Sequence, residues 1–331
     1  MLYILSVAKN ISQSFPVFSE CIAKISEKHN QLKVFVYENN STDGTQDLLS
    51  KWSVTDSRFT VISETFTNGQ LLAKGRACTK DNTPCRMEMI AFARNQLMDR
   101  VEPHLNDDDF VIWIDPDMKQ CPHMETLLFW LDRFPSWSDA LLANGLSVNG
   151  KYYDSYAYRD KIWPFGVELL GESYKTTLDD GKHSPNDWIT DKNKAVQKEY
   201  PFQGQMIPVL SAFGGLGIYK AKAIRGCRYS GTPTDDYNWL VDEICKNTEI
   251  HPHVKFVKGW KPETHIEGRL QGVYLFDSDE KNVNRRFYRN GSGYNFPVMC
   301  EHVTFHASMI RKGYANLFMC PSLLYFSDHW A

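Results

Sequence analysis

The chain has 331 residues, of which 42% are hydrophobic and 23% charged, and its formal net charge is -3. This composition is that of an ordinary folded protein, and the slight acidity gives no basis for binding nucleic acid or an anionic membrane. No apolar run approaches the roughly 18 residues of a membrane-spanning helix, and the apolar N-terminus is too short for a signal peptide and has no basic leader. We therefore expect a cytoplasmic protein, or a domain excised from a larger one.

The first 120 residues alternate between short apolar strands and amphipathic helices. This order is typical of a right-handed, mostly parallel sheet flanked by helices. Residues 64–84 show no periodicity and predict a loop, and Thr45 is the expected cap of the second helix. The predicted strands are 2–7, 34–37, 59–63 and 110–114, and the predicted helices are 14–28, 46–52 and 86–101.

The helix at 86–101 has the clearest apolar periodicity in the chain. Its spacing places Arg86 and Arg94, eight residues apart, near one face of the helix. The side chains expected to face the core are Met89, Ile90, Phe92, Ala93, Leu97 and Val101.

The rest of the chain has a less regular pattern. Residues 150–205 mix aromatic and charged side chains without periodicity, and residues 230–299 are polar, so both stretches predict loops or insertions. Adjacent glycines, Gly214 and Gly215, interrupt an apolar stretch and would permit the close approach of a ligand. The predicted strands are 140–148, two short ones within 207–219, and 316–319, and the predicted helices are 124–134 and 301–312.

Two carboxylates, Asp115 and Asp117, directly follow the apolar strand at 110–114. Open α/β sheets bind ligands at the carboxyl ends of their strands, and paired carboxylates suit Mg²⁺ or Mn²⁺ held together with the phosphates of a nucleotide. Asp-Pro also begins turns, so a turn at the strand end is the alternative interpretation. The same spacing recurs in two polar stretches, at Asp107 and Asp109 and at Asp277 and Asp279.

The order of first strand, acidic turn, Arg-x-Asn helix and strand-end Asp-x-Asp resembles the nucleotide-sugar-dependent glycosyltransferases of the GT-A fold. Within that fold the chain is similar to the fungal capsule-associated α-1,3-mannosyltransferase family over most of residues 1–230 and again at 299–326. That family's usual carboxylate pattern is closer to Asn-Asp, so the resemblance does not fix the donor sugar. The similar residues are 37–45 (YENNSTDGT), Arg86 with 93–95 (ARN), and 153–160 (YDSYAYRD).

The resemblance implies an α/β, Rossmann-like GT-A fold with a central, mostly parallel sheet flanked by helices and with inserted loops. One catalytic domain would span 1–331, with a nucleotide-binding half at 1–120 and an acceptor-binding half at 121–331 that carries an insertion at about 232–298. The implied activity is metal-dependent hexosyl or pentosyl transfer from a GDP- or UDP-sugar to a glycan or another hydroxyl acceptor. The implied ligands of Mn²⁺ or Mg²⁺ are Asp115, Asp117 and His329.

The resemblance also implies roles for other side chains. Ser6, Ala8, Glu38, Asp43, Arg86, Arg94 and Asp115 would contact the nucleotide sugar, because carboxylates accept hydrogen bonds from ribose hydroxyls and arginines pair with phosphates. Asp154, Tyr156, Arg159, Asp160, Gly214, Gly215 and His302 would contact the sugar or the acceptor.

Two carboxylates are candidates for the catalytic acid or base. Glu301 begins the helix at 301–312, and a carboxylate near the acceptor hydroxyl could act as a general base. If the reaction retains configuration, Glu301 would instead orient the acceptor. A glutamate at a helix start also has a structural reason, since it interacts favourably with the helix dipole. Asp236 is the rival candidate, ranked below Glu301.

Two other functions share parts of this pattern. A metal-dependent nucleotidyltransferase acting on sugar phosphates would use the same crevice, but it normally has a glycine-rich basic loop after the first strand, where residues 9–12 (KNIS) contain no glycine. A non-catalytic sugar-binding module would not need both the acidic turn and the strand-end carboxylates.

The eight cysteines show no C-x-x-C spacing, which disfavours a zinc site. Most are expected to be reduced thiols in the core. Cys78 and Cys85, seven residues apart, could pair in an oxidising compartment.

Overall fold

The computed structural model describes residues 1–74, 84–166, 185–246, 254–258, 272–276 and 298–327. The strands of these residues form a nine-stranded sheet and a separate two-stranded sheet. The strands are β1 (Leu2–Ala8), β2 (Leu32–Asn39), β3 (Phe59–Glu64), β4 (Phe110–Ile114), β5 (Met118–Gln120), β6 (Ala140–Leu146), β7 (Ile207–Val209), β8 (Leu216–Lys220), β9 (Val254–Lys258), β10 (Gly272–Phe276) and β11 (Leu317–Ser327). The helices are α1 (Phe15–Lys28), α2 (Thr45–Thr55), α3 (Asn68–Lys74), α4 (Arg86–Val101), α5 (Met124–Asp132), α6 (Pro185–Val196), α7 (Ala221–Ile224), α8 (Asp235–Lys246) and α9 (Glu301–Arg311), with a 3-10 turn at Glu102–His104.

The large sheet has the strand order β3-β2-β1-β4-β8-β6-β11-β5, and β7 pairs with β11. Strands β1, β2, β3, β4, β6 and β11 run in one direction, whereas β8, β5 and β7 run in the opposite direction. The small sheet pairs β9 with β10. The prediction of a mostly parallel sheet flanked by helices is therefore confirmed, and the division of the chain into two halves at residue 120 stays a prediction.

Side chains along β4 point alternately to the two faces of the sheet, which explains both the apolar composition of the strand and the position of the carboxylates. Val111 and Trp113 point into a core shared with α4 and α9, while Ile112 and Ile114 point into a second core shared with α1 and α5. A strand covered on both faces needs apolar residues at every position, as the sequence has. Asp115 has the same parity as Trp113, so its side chain turns towards α4 and α9.

The loop predicted at 64–84 is wrong over 68–74, where the structure has α3. Residues Thr67 and Gln70 begin this helix as a capping box. The Thr67 hydroxyl accepts from the backbone nitrogen of Gln70 at 3.3 Å, and the Gln70 side chain accepts from the backbone nitrogen of Thr67 at 2.8 Å. Two reciprocal hydrogen bonds thus start a helix too short to show apolar periodicity.

The predicted cap of α2 at Thr45 is also wrong. Thr45 is the first helical residue, and Gly44, with a φ of 88°, precedes it. Only glycine adopts this left-handed conformation at little cost. The Thr45 hydroxyl is instead the acceptor for the backbone nitrogen of Ile11 at 2.7 Å.

Other differences concern the length of the helices and strands and which side chains of α4 are buried. The structure adds the short strand β5, extends β11 to Ser327, and has α8 within the stretch predicted as a polar insertion. The predicted bounds of α4 are confirmed, but Met89, Ile90 and Phe92 are only half-buried, whereas Arg94 is buried. Helix α9, more than 200 residues away in sequence, covers the face that carries Arg94.

Candidate active site

Asp115 lies at the carboxyl end of β4, and its backbone is fixed from two sides. Its backbone nitrogen donates to the carbonyl oxygen of Gly215 at 2.8 Å, and the Tyr325 hydroxyl donates to its carbonyl oxygen at 3.0 Å. Its side chain is 28% exposed. Asp117 follows two residues later, half-buried and directly before β5. The two carboxylates thus lie at the sheet edge that the sequence predicted.

The guanidinium of Arg94 joins two carboxylates from different elements. Its Nη2 donates to Oδ1 of Asp115 at 3.1 Å, and its Nε donates to Oε1 of Glu301 at 3.1 Å. The Arg94 side chain is only 4% exposed. Glu301 is the first residue of α9, so this pair of bonds connects α4, the end of β4 and the start of α9.

Three aromatic rings surround Arg94. The centre of its guanidinium lies 5.0 Å from the ring of Trp113, 5.0 Å from that of Phe213 and 5.6 Å from that of Tyr229. A cation at this distance from aromatic rings is attracted to them. Asn95, the next residue of α4, accepts from the backbone nitrogen of Tyr229 and donates to its carbonyl oxygen, both at 2.9 Å. The guanidinium is therefore held in one position.

Charge interactions are strong in this cluster. Burial raises the pKa of Asp115 to about 7; Arg94 opposes that increase, and Asp117 and Glu301 add to it. Burial alone would lower the pKa of Arg94, but Asp115 and Glu301 raise it overall. Within this set of four side chains there are three carboxylates and one guanidinium, so negative charge exceeds positive.

Gly214 and Gly215 adopt φ angles of 63° and 86°, as expected for a strand break. A Cβ atom on Gly215 would lie 2.2 Å from the ring of Tyr325, and one on Gly214 would lie 2.4 Å from the carbonyl oxygen of Ala143. The backbone nitrogen of Gly214 donates to Oδ2 of Asp154 at 3.0 Å. The groups that lie close to these two glycines are thus the Tyr325 ring and the Ala143 backbone of the protein itself.

Two tyrosines lie beside the carboxylate pair. Burial raises the pKa of Tyr153 well above its usual value, and the charges of nearby Asp154, Asp115 and Asp117 raise it further. Burial likewise raises the pKa of Tyr325, and the nearby charges of Asp117 and Asp115 raise it further. Both phenols therefore remain protonated and could donate hydrogen bonds near the pair.

The segment 153–160 makes mostly internal contacts. Asp154 accepts from the backbone nitrogen of Ala157 at 3.1 Å as well as from Gly214. Arg159 is buried, and its Nη1 donates to the carbonyl oxygens of Tyr156 and Tyr158, both at 2.8 Å. These side chains hold the shape of the segment.

Asp160 and His302 are also fixed by their own neighbours. Asp160 accepts from the backbone nitrogens of Ile162 and Trp163 at 2.8 and 2.7 Å. His302 is buried, its ring lies 3.7 Å from that of Phe213, and burial lowers its pKa well below the usual value. His302 is therefore neutral at physiological pH.

Asp43 connects the two loops that follow β1 and β2. Its Oδ2 accepts from the backbone nitrogen of Ser12 at 2.9 Å, and its Oδ1 accepts from the Thr45 hydroxyl at 2.7 Å. Slight burial would raise the pKa of Asp43, but these hydrogen bonds lower it overall. Asn10 adds a parallel connection, since its Oδ1 accepts from the backbone nitrogen of Thr42 at 2.8 Å. The acidic turn is thus a preformed structure with an exposed carboxylate.

Ser6 and Glu38 lie beneath this turn and are buried. The Ser6 hydroxyl donates to the carbonyl oxygen of Ile114 at 2.8 Å, which connects β1 to β4. Glu38 accepts from the backbone nitrogen of Ser41 at 2.8 Å and from the Ser63 hydroxyl. Both side chains are used within the protein, so they support the turn from inside.

The other nucleotide-side candidates differ in exposure. Ala8 is buried at the end of β1, and Arg86 is exposed at the start of α4. Although Arg86 and Arg94 are eight residues apart on one helix, only Arg94 reaches the carboxylates.

Of the predicted site residues, Asp236 is not brought to this cluster, and His329 lies outside the described residues. Asp236 pairs with Arg311, the last residue of α9, at 2.8 Å, whereas Glu301 begins that helix. Glu301 and Arg311 are ten residues apart, which corresponds to about 15 Å along the helix axis. Asp236, at the Arg311 end, is therefore remote from Arg94, at the Glu301 end. Within the described part of the chain, no group of three or more His, Cys, Asp or Glu side chains could hold a metal ion.

The sequence did not indicate the aromatic surroundings of Arg94 or the role of Tyr325. Trp113 was expected only as a core residue of β4, and Phe213 and Tyr229 come from distant segments. The apolar run after residue 319 could have revealed Tyr325, because it extends the strand β11 towards the site.

A sheet beginning with the order β3-β2-β1-β4, with an Asp-x-Asp pair at the end of β4, is the architecture expected of a GT-A glycosyltransferase. Residues 6–250 match the family described as Cryptococcal mannosyltransferase 1, and the chain belongs to this family. The predicted family and the predicted α/β fold with a mostly parallel sheet are thereby confirmed. No curated protein sequence matches the chain. In the described part of the chain, no helix has the length and apolar character needed to cross a bilayer.

Solved structures show only distant similarity. The mannosyltransferase PcManGT from Pyrobaculum calidifontis, in complex with GDP-Man and Mn²⁺, is 14% identical with a TM-score of 0.32, over 67% of this chain and 45% of that one. S. aureus TarS 1-349 is 13% identical with a TM-score of 0.37, over 85% of this chain and 62% of that one. Glucosyl-3-phosphoglycerate synthase from Mycobacterium tuberculosis, with Mn²⁺, UDP and phosphoglyceric acid, is 14% identical with a TM-score of 0.33, over 74% and 64%. The chain thus spans less than two thirds of the length of each of these three structures.

Proposed function

We propose that the protein transfers a sugar from a GDP- or UDP-sugar to a hydroxyl of a glycan or another acceptor, with Mn²⁺ or Mg²⁺ held by Asp115 and Asp117. The observation that carries this proposal is the position of both carboxylates at the carboxyl end of β4, partly exposed and at the same sheet edge as the preformed turn of Asp43, which follows β2. The nucleotide would lie on the 1–120 side and the acceptor on the 121–331 side.

The charge of the cluster fits a divalent cation. Asp115, Asp117 and Glu301 carry more negative charge than Arg94 offsets, and Arg94 occupies only Oδ1 of Asp115. Two carboxylates do not complete the shell of Mn²⁺ or Mg²⁺, so the donor's diphosphate would supply further oxygens, and His329 is a further candidate ligand. The ion, when bound, would offset the charge that develops on the departing nucleoside diphosphate.

On the nucleotide side we propose direct contact by Asp43 and Arg86 and indirect support by Ser6, Ala8 and Glu38. Asp43 and Arg86 are exposed, whereas the other three are buried. An exposed carboxylate fixed by hydrogen bonds costs little further ordering when it accepts bonds from ribose hydroxyls. Asp43→Asn should weaken binding of a nucleoside diphosphate without unfolding the protein, and an unchanged dissociation constant would contradict this role.

In the transfer itself, the bond between the sugar and the diphosphate breaks, the acceptor oxygen bonds to the sugar, and the acceptor proton must leave. We assign Glu301 to the acceptor hydroxyl, as general base or as the group that orients it. Arg94 donates to Oε1 of Glu301, which fixes the carboxylate, and Oε2 lies 3.7 Å from the Cys300 thiol. Arg94 is a positioning residue, because it aligns Glu301 with Asp115.

Asp236 provides a matched comparison for this assignment. Glu301→Gln and Asp236→Asn are the same chemical change, but only Glu301 is connected to Arg94. Loss of a general base lowers turnover by roughly 100-fold or more. We expect that loss for Glu301→Gln and a small effect for Asp236→Asn, and the reverse result would transfer the catalytic role to Asp236.

On the acceptor side we propose the surface formed by segment 153–160, Gly214, Gly215 and His302. Asp154 joins that segment to Gly214, which follows Phe213, and Phe213 stacks on His302. Direct contacts would come from the half-buried side chains Asp154, Tyr156 and Asp160, with Arg159 and His302 holding them in place.

The test is a panel of sugar nucleotides incubated with the protein and Mn²⁺. Release of nucleoside diphosphate from one GDP- or UDP-sugar, dependent on the metal, is the expected result. Release of pyrophosphate from a nucleoside triphosphate and a sugar phosphate would identify a nucleotidyltransferase instead. Binding of sugars with no turnover of any donor would identify a binding module.

A further inference from the structure

Two cysteines far apart in sequence pack in one apolar cluster against α1. Cys21 lies in α1 and Cys121 directly follows β5, about 100 residues later. The two thiols interact, since each shifts the pKa of the other. Both residues pack in the same apolar cluster, and the Cys121 sulfur lies 3.7 Å from the carbonyl oxygen of Val17, one turn before Cys21. The Cys121 sulfur thus lies on the helix turn that ends at Cys21, and close approach of two thiols is the geometric precondition of a disulfide.

The two thiols differ in reactivity. Cys121 is partly exposed, and its interaction with Cys21 lowers the pKa of its thiol. The same interaction, followed by burial, raises the pKa of Cys21, which is fully buried. A partly exposed thiolate beside a buried thiol is the usual arrangement of an attacking and a resolving cysteine.

We propose that Cys21 and Cys121 are a modification site at which a low-molecular-weight disulfide, such as glutathione disulfide, forms a reversible bond between α1 and the end of β5. The Cys121 thiolate attacks one sulfur of the oxidant, forming a mixed disulfide and releasing one thiolate. The Cys21 thiol then loses its proton and attacks the Cys121 sulfur, which expels the second thiolate, and that thiolate takes up the proton as a thiol. Two cysteine thiols are oxidised and one disulfide is reduced to two thiols.

The bond would join two segments that frame the active site. Cys121 comes four residues after Asp117, and α1 follows the loop that Asp43 connects to the acidic turn. Closing a loop of about 100 residues restricts the unfolded chain, so the oxidised protein should melt roughly 5 to 10 °C higher than the reduced protein. The sequence had instead suggested Cys78 and Cys85, of which Cys78 lies outside the described residues.

The test uses the full chain incubated near neutral pH with glutathione at increasing ratios of oxidised to reduced form. Intact mass and peptide mapping should show loss of two hydrogens and a peptide pair joined through Cys21 and Cys121, reversed by dithiothreitol. Cys21→Ser should retain one glutathione on Cys121, because no resolving thiol is present. Cys320→Ser removes a thiol of equal burial from the same apolar cluster and should leave the bond intact.

A measurement on the wild type keeps the test independent of how the variants fold. Brief treatment with iodoacetamide should alkylate Cys121 before Cys21, and the alkylated protein should no longer form the bond. The proposal would be overturned if the wild-type protein keeps both thiols free, retains glutathione stably on Cys121, or links Cys78 to Cys85 instead. Equal melting temperatures of the joined and reduced forms would refute the restraint between α1 and β5.

Discussion

Replacing Arg94 with methionine tests the buried cluster most severely. The change removes two hydrogen bonds of 3.1 Å and leaves the carboxylates of Asp115 and Glu301 without their shared cation. Arg94 and Glu301 are 4% and 6% exposed, so water screens their interaction little. Removing one partner of a buried ion pair costs about 3 to 5 kcal/mol, a large part of the roughly 5 to 15 kcal/mol that holds a domain folded.

Urea unfolding followed by circular dichroism measures this loss. Arg58→Met is the matched control, because Arg58 pairs with Asp56 at the surface with 38% of its side chain exposed. An exposed pair contributes only about 0 to 1 kcal/mol. The loss for Arg94→Met should shrink at pH 5, because burial raises the pKa of Asp115 to about 7 and its carboxyl is therefore largely protonated at that pH. If both variants lose the same free energy of unfolding, Arg94 does not hold the cluster together.

Two further predictions concern glycine and histidine. In thermal melts, Gly215→Ala should destabilise the protein by more than Gly44→Ala. Both glycines have positive φ, but a Cβ atom on Gly215 would lie 2.2 Å from the Tyr325 ring, while one on Gly44 would have nothing within 4 Å. Equal shifts in melting temperature would show that the Tyr325 ring moves aside freely. Burial lowers the pKa of His306 to about 3, with its ring nitrogens 2.9 and 3.0 Å from the hydroxyls of Ser211 and Tyr219. The unfolded chain therefore binds the proton first, and stability should fall as pH drops below about 6.5, by up to roughly 1.4 kcal/mol per pH unit for this group. His306→Asn should flatten that slope in urea titrations, and an unchanged slope would mean that His306 is not kept neutral.

The first half of the fold could be predicted because its signals are local. The strand β4 is a continuous apolar run that ends at Asp115 and Pro116, and α4 has a complete helical period, so both have the predicted bounds. The short helix α3 was missed because a capping box of two residues, Thr67 and Gln70, starts it without an apolar face. The cap of α2 was misplaced because the backbone angle of Gly44 decides the start of that helix.

The candidate site was only partly predictable. The carboxylate pair follows from its place after an apolar strand, and Arg94 and Glu301 were each singled out by the resemblance. Their contact joins residues 207 positions apart, and no local pattern encodes such a separation. The same reason explains why Phe213 and Tyr229 around Arg94 were not foreseen, since Phe213 lies before β8 and Tyr229 lies after α7.

The central claim is that Asp115 and Asp117 hold a divalent cation together with a nucleoside diphosphate. Isothermal titration of Mn²⁺ into the protein with GDP or UDP tests it directly, with Asp117→Asn compared with wild type. Asp107→Asn is the control, because Asp107 is an exposed carboxylate paired with Arg225. We predict that Mn²⁺ affinity falls at least roughly tenfold in Asp117→Asn and stays unchanged in Asp107→Asn. Equal Mn²⁺ affinity in wild type and Asp117→Asn would contradict it.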